Sequence, residues 1–382
     1  MLAPCFAVRL YAAVAQEGAL YGAASPLSIA KLSSAEHAHV DVRIAAMRSV
    51  HLIVPDLFLP ENIAAEVSAG LVLPALERVL ARGAHEMLEG GALETLLCGL
   101  FLSPDRCNTP VAAISAAFDG LGEGCWLRAD PAHMQLRRTH LVLLPLADVA
   151  ADDAVQLCAA LNAHFAGQGM TFAAPHPLRW YLRLDAQPDI RTAPISQAGG
   201  SDVRGLLPEG AEGARWQQLF NEVQMLLHAH PLNEVREARG ELPVNCLWLW
   251  GNGAADIQSS CRYVGVSSDE ALVGMFAAAA GVGFAGWPDS WRADDQDGEQ
   301  LLVWTGLRSA LQRGDLDGWR AALQEFETGY VQPVWRALRA GDIEHLQLDV
   351  LGERGMRHFR LTRADAWAIW RRPQRLAEYS MR

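Results

Sequence analysis

Most signatures of familiar chemistry are missing from this sequence. It has no G-x-x-x-x-G-K-[ST] phosphate loop, no G-x-G-x-x-G following a strand, no G-x-S-x-G elbow and no H-E-x-x-H helix, which removes the simplest routes to nucleotide binding, acyl transfer and zinc proteolysis. Cysteine is sparse: seven residues, an odd number, with no C-x-x-C and no Cys/His cluster at zinc spacing. They read as small buried hydrophobes in a reducing compartment, so a cytoplasmic location is expected. Positive charge is also scarce. A formal net charge of −12 and a pI near 5.5 argue against a nucleic-acid groove, which needs clustered Lys and Arg to neutralise phosphates. Long apolar runs are absent too. The stretch from Ala271 to Phe284 is rich in Ala and Gly and falls short of the roughly 20 residues a membrane helix needs, so no membrane partner is expected.

What remains is the balance of a packed globular chain, 51% hydrophobic and 20% charged over 382 residues, long enough for two or three domains. Its organising stretch is Leu242 to Gly253, a mostly apolar run that stops at Gly251-Asn252-Gly253, where positive φ is easily reached. Such a run suits the middle of a sheet covered on both faces, and the loop leaving such a strand is where α/β proteins bind ligands. Asn245, Trp250 and Asn252 are therefore site candidates. A buried strand with a tight turn explains the same residues without any ligand.

Residues 1–46 are Ala- and Ser-rich and carry no basic leader, and Met47 opens a better pattern, so a poorly ordered extension is expected before a natural start at Met47. Val50 to Val54 reads as a buried strand that places Asp56 at its carboxyl end. Pro74 to Ala81 reads as a helix with Pro at its first turn and Gly83 as its stop. Leu93 to Leu102 fits either helix or strand. A strand at Cys125–Arg128, a strand at His140–Leu146, a helix over about 153–165 capped by Asp152, and a strand at Arg179–Leu184 suggest a small α+β insert. Trp216 to Leu227 forms an amphipathic helix. Ser267 with Glu270 suggests a capping box for a helix reaching about Ala280, and Gly281 to Phe284 returns to the sheet. Gln300–Trp304 is a further buried strand. A helix over 316–327 is broken or kinked by Gly329 and Pro333. His345–Val350, Arg357–Leu361 and Ala366–Trp370 read as strands.

Basic and amide groups flank the strand ends: Arg128, Asp130, His133, Asn233, Arg236, Arg239, Asn245 and Asn252. Arg with Asn suits bidentate recognition of a phosphate or carboxylate, whereas a structural ion pair would explain Arg128 and Asp130 equally well, and Asn233 could cap a turn. Trp248 and Trp250 share a strand face and could stack on a ligand, though core packing is the commoner use. His228 and His230 are two apart and share no helix face, which makes them a poor ligand pair.

The blocks His51–Phe58, Leu73–Gly83, Trp126-Leu127-Arg128-Ala129-Asp130-Pro131, His230-Pro231-Leu232-Asn233 and Val244–Gly253 resemble the archaeal-type, cofactor-independent phosphoglycerate mutase branch of the alkaline phosphatase superfamily. In particular they are similar to its bacterial RpfE-type regulatory relatives. The resemblance implies an α/β/α sandwich of alkaline-phosphatase-like type over 47–102 and 196–372, an inserted α+β lid domain over 103–195, and a tail over 373–382. It also implies two divalent ions, manganese or zinc, working with a Ser nucleophile. Asp56 stands where the first metal Asp falls. The nucleophile segment, however, falls near Glu89-Gly90-Gly91, which offers neither Ser nor Asp. The His-rich segment falls on Thr305-Gly306-Leu307, and of an Asp-His pair only Asp349 stands, followed by Val350. The expectation is a catalytically degenerate member with no metal and no cofactor, acting in regulation or binding a small anionic ligand or a protein partner. Its candidate ligand residues are Asp56, Arg128, Asp130, His133, Asn233, Arg236, Asn245, Trp250 and Asn252. An active metal-dependent phosphomutase or phosphatase using Thr95 or Ser103 is the rival, and an interaction protein without a ligand is the third reading.

Overall fold

Val50 and Leu52 point to one face of Ser49–Ile53 and Ile53 to the other, and burial on both faces follows from that composition. The computed structural model describes residues 48–102, 110–253, 261–293, 297–352 and 354–380; the expected extension over 1–46, the Met47 boundary and Ser103 lie outside them. In chain order the described strands are Ser49–Ile53 (β1), Ala84–Leu88 (β2), Cys125–Arg137 (β3), His140–Pro145 (β4), Met170–His176 (β5), Arg179–Leu184 (β6), Cys246–Trp250 (β7), Tyr263–Ser268 (β8), Phe284–Gly286 (β9), Glu299–Val303 (β10), His345–Gly352 (β11) and Gly355–Thr362 (β12).

The first sheet runs β2-β12-β11-β1-β10-β8-β9. β1 lies parallel between β10 and β11, β8 and β9 continue in parallel, and β12 and β2 close the other edge antiparallel. Side chains alternate between two apolar layers. Val50 and Leu52 face helices Pro74–Arg82, Leu316–Phe326 and Gln332–Ala340. Ile53, Leu301 and Val303 face helices Leu93–Phe101, Val111–Phe118 and Ala271–Ala279. This is the α/β/α sandwich read from the sequence.

The second sheet is antiparallel, β4-β3-β6-β5, with β7 also paired to β3. Here the organising stretch behaves differently from its expected place in the parallel sheet. β7 runs antiparallel to β3, from Arg128 opposite Trp250 to Ala132 opposite Cys246. Its all-apolar sequence still obtains cover on both faces. Trp248 and Trp250 join the layer between the two sheets, while Leu247 and Leu249 pack against helices Ala151–His164 and Gly213–His228. Each of those leucines contributes about 2 kcal/mol by burial. Gly251, at φ 75°, then lets the chain pass close to Ala112, whose N–H donates to the Gly251 carbonyl at 2.9 Å.

Helix Pro74–Arg82 begins with Pro and has no side-chain cap of its own. Instead the fully buried Glu327 accepts from the Ala75 and Leu76 N–H groups at 2.7 and 3.0 Å, placing a carboxylate at the positive end of the helix dipole. Glu327 opens a π-helical segment, Glu327–Val331, between Leu316–Phe326 and Gln332–Ala340. Pro333 has no N–H to give to Gly329, and the helix widens there where the sequence suggested a break or kink.

Other elements differ in detail. Leu93–Phe101 is helix, because its apolar side chains fill one layer. Helix Ala151–His164 takes Ala150 as its N-cap, leaving Asp152 and Asp153 in the first turn. Glu270 itself caps Ala271–Ala279 by accepting from the Leu272 N–H at 3.2 Å, with Ser268 in place of Ser267 accepting from the Glu270 N–H at 2.9 Å. Ala366–Trp370 is no strand. It holds the end of a 3-10 turn, Asp365–Trp367, and has no strand neighbour.

Candidate functional site

The parallel strands β1, β8 and β10 release their chains at one edge, and charged side chains follow each of them. After β1, the Asp56 N–H donates to the Leu351 carbonyl at 2.9 Å, which holds Asp56 at φ 62°. Its carboxylate accepts from Arg308 Nε at 3.0 Å, and its carbonyl accepts from Trp319 Nε1 at 3.3 Å. Arg308 sits on helix Gly306–Arg313, which follows β10. After β8 comes Asp269, which accepts from the Thr305 N–H at 2.8 Å. From helix Leu93–Phe101, the buried Glu94 accepts the Ser196 hydroxyl at 2.7 Å.

Burial raises the carboxyls of Glu94 and Asp269 above their ordinary range. For Glu94 the Ser196 hydroxyl and the Arg308 charge oppose the rise, and for Asp269 the Thr305 N–H and the same Arg308 do so. Arg308 is thus the positive charge shared along this edge.

Opposite stands the antiparallel sheet. A small open cleft of ≈ 110 Å³ is lined by Arg128, His176, Leu178 and Arg179 on one side and Glu270, Ala271, Leu272 and Met275 on the other. Arg128 gives Nε and Nη2 to Asp130 at 3.1 and 2.6 Å and lies over the rings of Tyr181 and Trp250. The other Asp130 oxygen accepts from Trp250 Nε1 at 2.7 Å. Arg179 gives Nε and Nη2 to Asp119 at 2.6 and 2.5 Å, and the Tyr181 hydroxyl donates to Asp119 at 2.5 Å. Burial raises the Asp119 carboxyl, but the Arg179 and Tyr181 hydrogen bonds outweigh it and hold it low. Partial desolvation and the neighbouring Arg179 charge lower the His176 imidazole from its ordinary range.

Of the candidate ligand residues, Arg128, Asp130 and Trp250 meet in space, Asp56 pairs with Arg308, and the others are set apart as backbone clamps. Asn233 donates to the Leu227 and Val244 carbonyls at 2.7 and 2.9 Å and accepts from the Val244 N–H at 2.8 Å. Arg236 binds the Leu242 and Asp148 carbonyls at 3.1 and 3.0 Å. Asn245 pairs with both backbone groups of Met134, at 2.7 and 2.9 Å, and Asn252 donates to the Ile190 carbonyl at 3.0 Å. His133 Nδ1 bonds the Pro243 carbonyl at 3.0 Å. Trp248 Nε1 donates to the Ala193 carbonyl at 2.8 Å. Strand ends are where a chain changes direction, and these polar side chains anchor that change.

One buried network escaped the sequence reading. His51 on β1 donates from Nε2 to Asp349 at 2.7 Å, and its Nδ1 meets the Tyr263 hydroxyl at 2.7 Å. The other Asp349 oxygen is bound by His358 Nδ1 from β12. Burial raises the Asp349 carboxyl, but the two imidazoles outweigh it and hold it down at about 2. The available signal was a histidine inside an otherwise apolar strand, since a fully buried ring needs partners for both nitrogens.

The resemblance implies two divalent ions, and the side chains present do not fit them. Among the described residues no three His, Cys, Asp or Glu side chains gather as ligands. Asp56 faces a guanidinium, and both Asp349 oxygens are taken by imidazoles.

No family model matches the chain. It is 34% identical over 71 residues to a probable 2,3-bisphosphoglycerate-independent phosphoglycerate mutase of Geobacter sulfurreducens, covering 19% of this chain and 18% of that protein. It is 26% identical over 109 residues to the 2,3-bisphosphoglycerate-independent phosphoglycerate mutase of Methanosarcina barkeri, covering 28% and 27%. The chain spans about a fifth to a quarter of the length of these curated relatives. Among solved structures, a cofactor-independent phosphoglycerate mutase of Thermoplasma acidophilum aligns with TM-score 0.41 and 12% identity, over 83% of this chain and 90% of that one. A Pyrococcus horikoshii protein aligns with TM-score 0.46 and 11% identity, over 84% and 88%. By sequence, this chain resembles the archaeal-type cofactor-independent phosphoglycerate mutases.

Proposed function

We propose that this is a catalytically degenerate phosphoglycerate-mutase-like protein, a relative of the RpfE-type regulators, that binds a small anion in the cleft between the two sheets. The observation that carries the reading is the pairing of Asp56 with Arg308, because a protein guanidinium stands against the carboxylate that would otherwise hold a divalent ion. Arg128 and Arg179 supply the anion's partners. Each is fixed by two N–H groups on its own carboxylate, and a guanidinium carries five such donors, so three remain on each for a phosphate or carboxylate. Holding both rigid in advance lowers the ordering cost of binding.

The test is thermal denaturation of the protein with 3-phosphoglycerate or inorganic phosphate, alongside mutase and phosphatase assays in added manganese or zinc. A melting temperature that rises with anion concentration, is insensitive to metal and falls back in Arg179→Gln supports the reading. Metal-dependent turnover lost in Thr95→Ala, which removes an exposed hydroxyl beside Glu94, would establish the active enzyme instead. No thermal response to either anion would leave a ligand-free interaction protein.

A further inference from the structure

We infer that the loop Trp367 to Arg372 is a docking platform for an acidic, apolar-anchored segment of a partner protein. Trp367, Ile369 and Trp370 are 52, 74 and 76% exposed, while Ala366 and Ala368 on either side of Trp367 are buried. The alternation is fixed by the backbone. Asp365 accepts from the Thr362 N–H and hydroxyl at 3.0 and 2.7 Å, Arg82 Nη1 donates to the Ala366 carbonyl at 2.6 Å, and Arg371 Nη1 donates to the Arg82 carbonyl at 2.6 Å. Two indoles and an isoleucine are therefore held outward on a rigid turn, where exposing them costs solvation energy unless something covers them.

Charge identifies the occupant. From Arg363 to Arg372 the chain carries Arg363, Arg371 and Arg372 against the single acid Asp365, which pairs with Arg371, while Arg354, Arg360 and Arg375 outside that stretch are spent on Glu61, Glu86 and Glu77. Arg363 and Arg372 have no ion pair among the described residues, in a chain whose formal charge is −12. Arg339 adds its guanidinium over the Trp367 ring at 4.4 Å. The chain's own N-terminal segment, residues 1–47, brings no net negative charge to it, since Glu17, Glu36 and Asp41 are balanced by Arg9, Lys31 and Arg43. A bilayer is the poorer match, because Arg360 and Arg375 are neutralised by Glu86 and Glu77, so a flat anionic surface finds uncompensated positive charge only at the loop itself. A short acidic segment meets only the basic loop. Tryptophan and arginine together are the residue types that dominate binding energy at protein interfaces.

The experiment selects peptides from a random display library on the full chain and measures their affinity for it, for Trp370→Ala and for Arg372→Glu. Peptides rich in Asp and Glu that bind at least about tenfold more weakly to both variants, and whose affinity falls as salt rises, support the assignment. It is overturned if peptides that depend on Trp370 show no acidic excess, or if no selected peptide depends on Trp370. It is also overturned if sedimentation shows the intact chain to be a dimer that Trp370→Ala makes monomeric, or if phosphatidylglycerol vesicles bind the intact chain and not the variant. Both altered side chains are solvent-exposed, so an unchanged urea midpoint shows that each variant is folded; should Trp370→Ala shift it, Arg372→Glu alone decides.

Discussion

Two buried acids of this protein are treated in opposite ways. Asp349, inside the parallel sheet, has both oxygens bound by imidazoles, and its carboxyl is held at about 2. Glu94, at the sheet's carboxyl edge, has a hydroxyl for a hydrogen-bond partner, and burial raises its carboxyl above the ordinary range. The interior network is closed and saturated, which makes it structural. The edge is only half-satisfied, and that is where an α/β architecture leaves room for a ligand.

The largest break in this comparison is Asp349→Ala, which strands His51 and His358 in the interior and should cost about 3–5 kcal/mol, read as a lower urea midpoint. The same carboxylate makes the fold acid-sensitive. Because its folded value lies below the unfolded one, its stabilisation of about 2 kcal/mol is full above roughly pH 4 and disappears as pH falls toward 2. Asp349→Asn should flatten that part of the pH–stability curve, and an unaltered curve would refute the imidazole clamp.

Glu327→Ala comes next. It removes the carboxylate that holds the Ala75 and Leu76 N–H groups of helix Pro74–Arg82, at a cost of about 1–3 kcal/mol by the same measurement. Glu94→Gln should act in the other direction with a smaller effect. A carboxyl whose folded value is raised loses stability as pH climbs from the unfolded value to the folded one, so the amide variant should be the more stable protein at neutral pH. Its advantage should vanish below about pH 4, where the unfolded carboxyl is protonated as well. A Glu94→Gln protein that melts earlier at neutral pH would show that the charge is supported by something other than Ser196.

What could be read from the sequence follows from the range of the forces involved. The strand β1, the helix with Pro74 at its start and the antiparallel insert around Cys125–Leu184 are local patterns, set by apolar spacing and by Pro and Gly. The placement of β7 is not local. Its composition states that both faces are covered, and either sheet could have provided that cover. The candidate site divides along the same line. Arg128 and Asp130 are two residues apart on one strand and legible as a pair, and Trp250 joins them because it lies opposite Arg128 across the strands. The pairing of Asp56 with Arg308 spans 252 positions and has no sequence spacing to announce it. Asn233 and Asn245 were conspicuous as polar groups beside an apolar strand, and the same prominence is explained by their work as backbone clamps.

The smallest effect separates a lost metal site from a surviving one. Asp56 sits at φ 62°, a region Asp and Asn enter more readily than alanine does. Asp56→Asn keeps that conformational tolerance and removes the charge that faces Arg308. Both partners are partly exposed, so the change should cost no more than about 0.5 kcal/mol. Asp56→Ala adds the strain of a β-carbon in the left-handed region and should cost about 1 kcal/mol more. If Asp56 serves only as the partner of Arg308, manganese should leave the melting temperature of the parent and of Asp56→Asn equally unchanged. Stabilisation of the parent by manganese that Asp56→Asn abolishes would instead give this carboxylate the metal-binding role expected from the sequence, with Arg308 as a side chain the metal can displace.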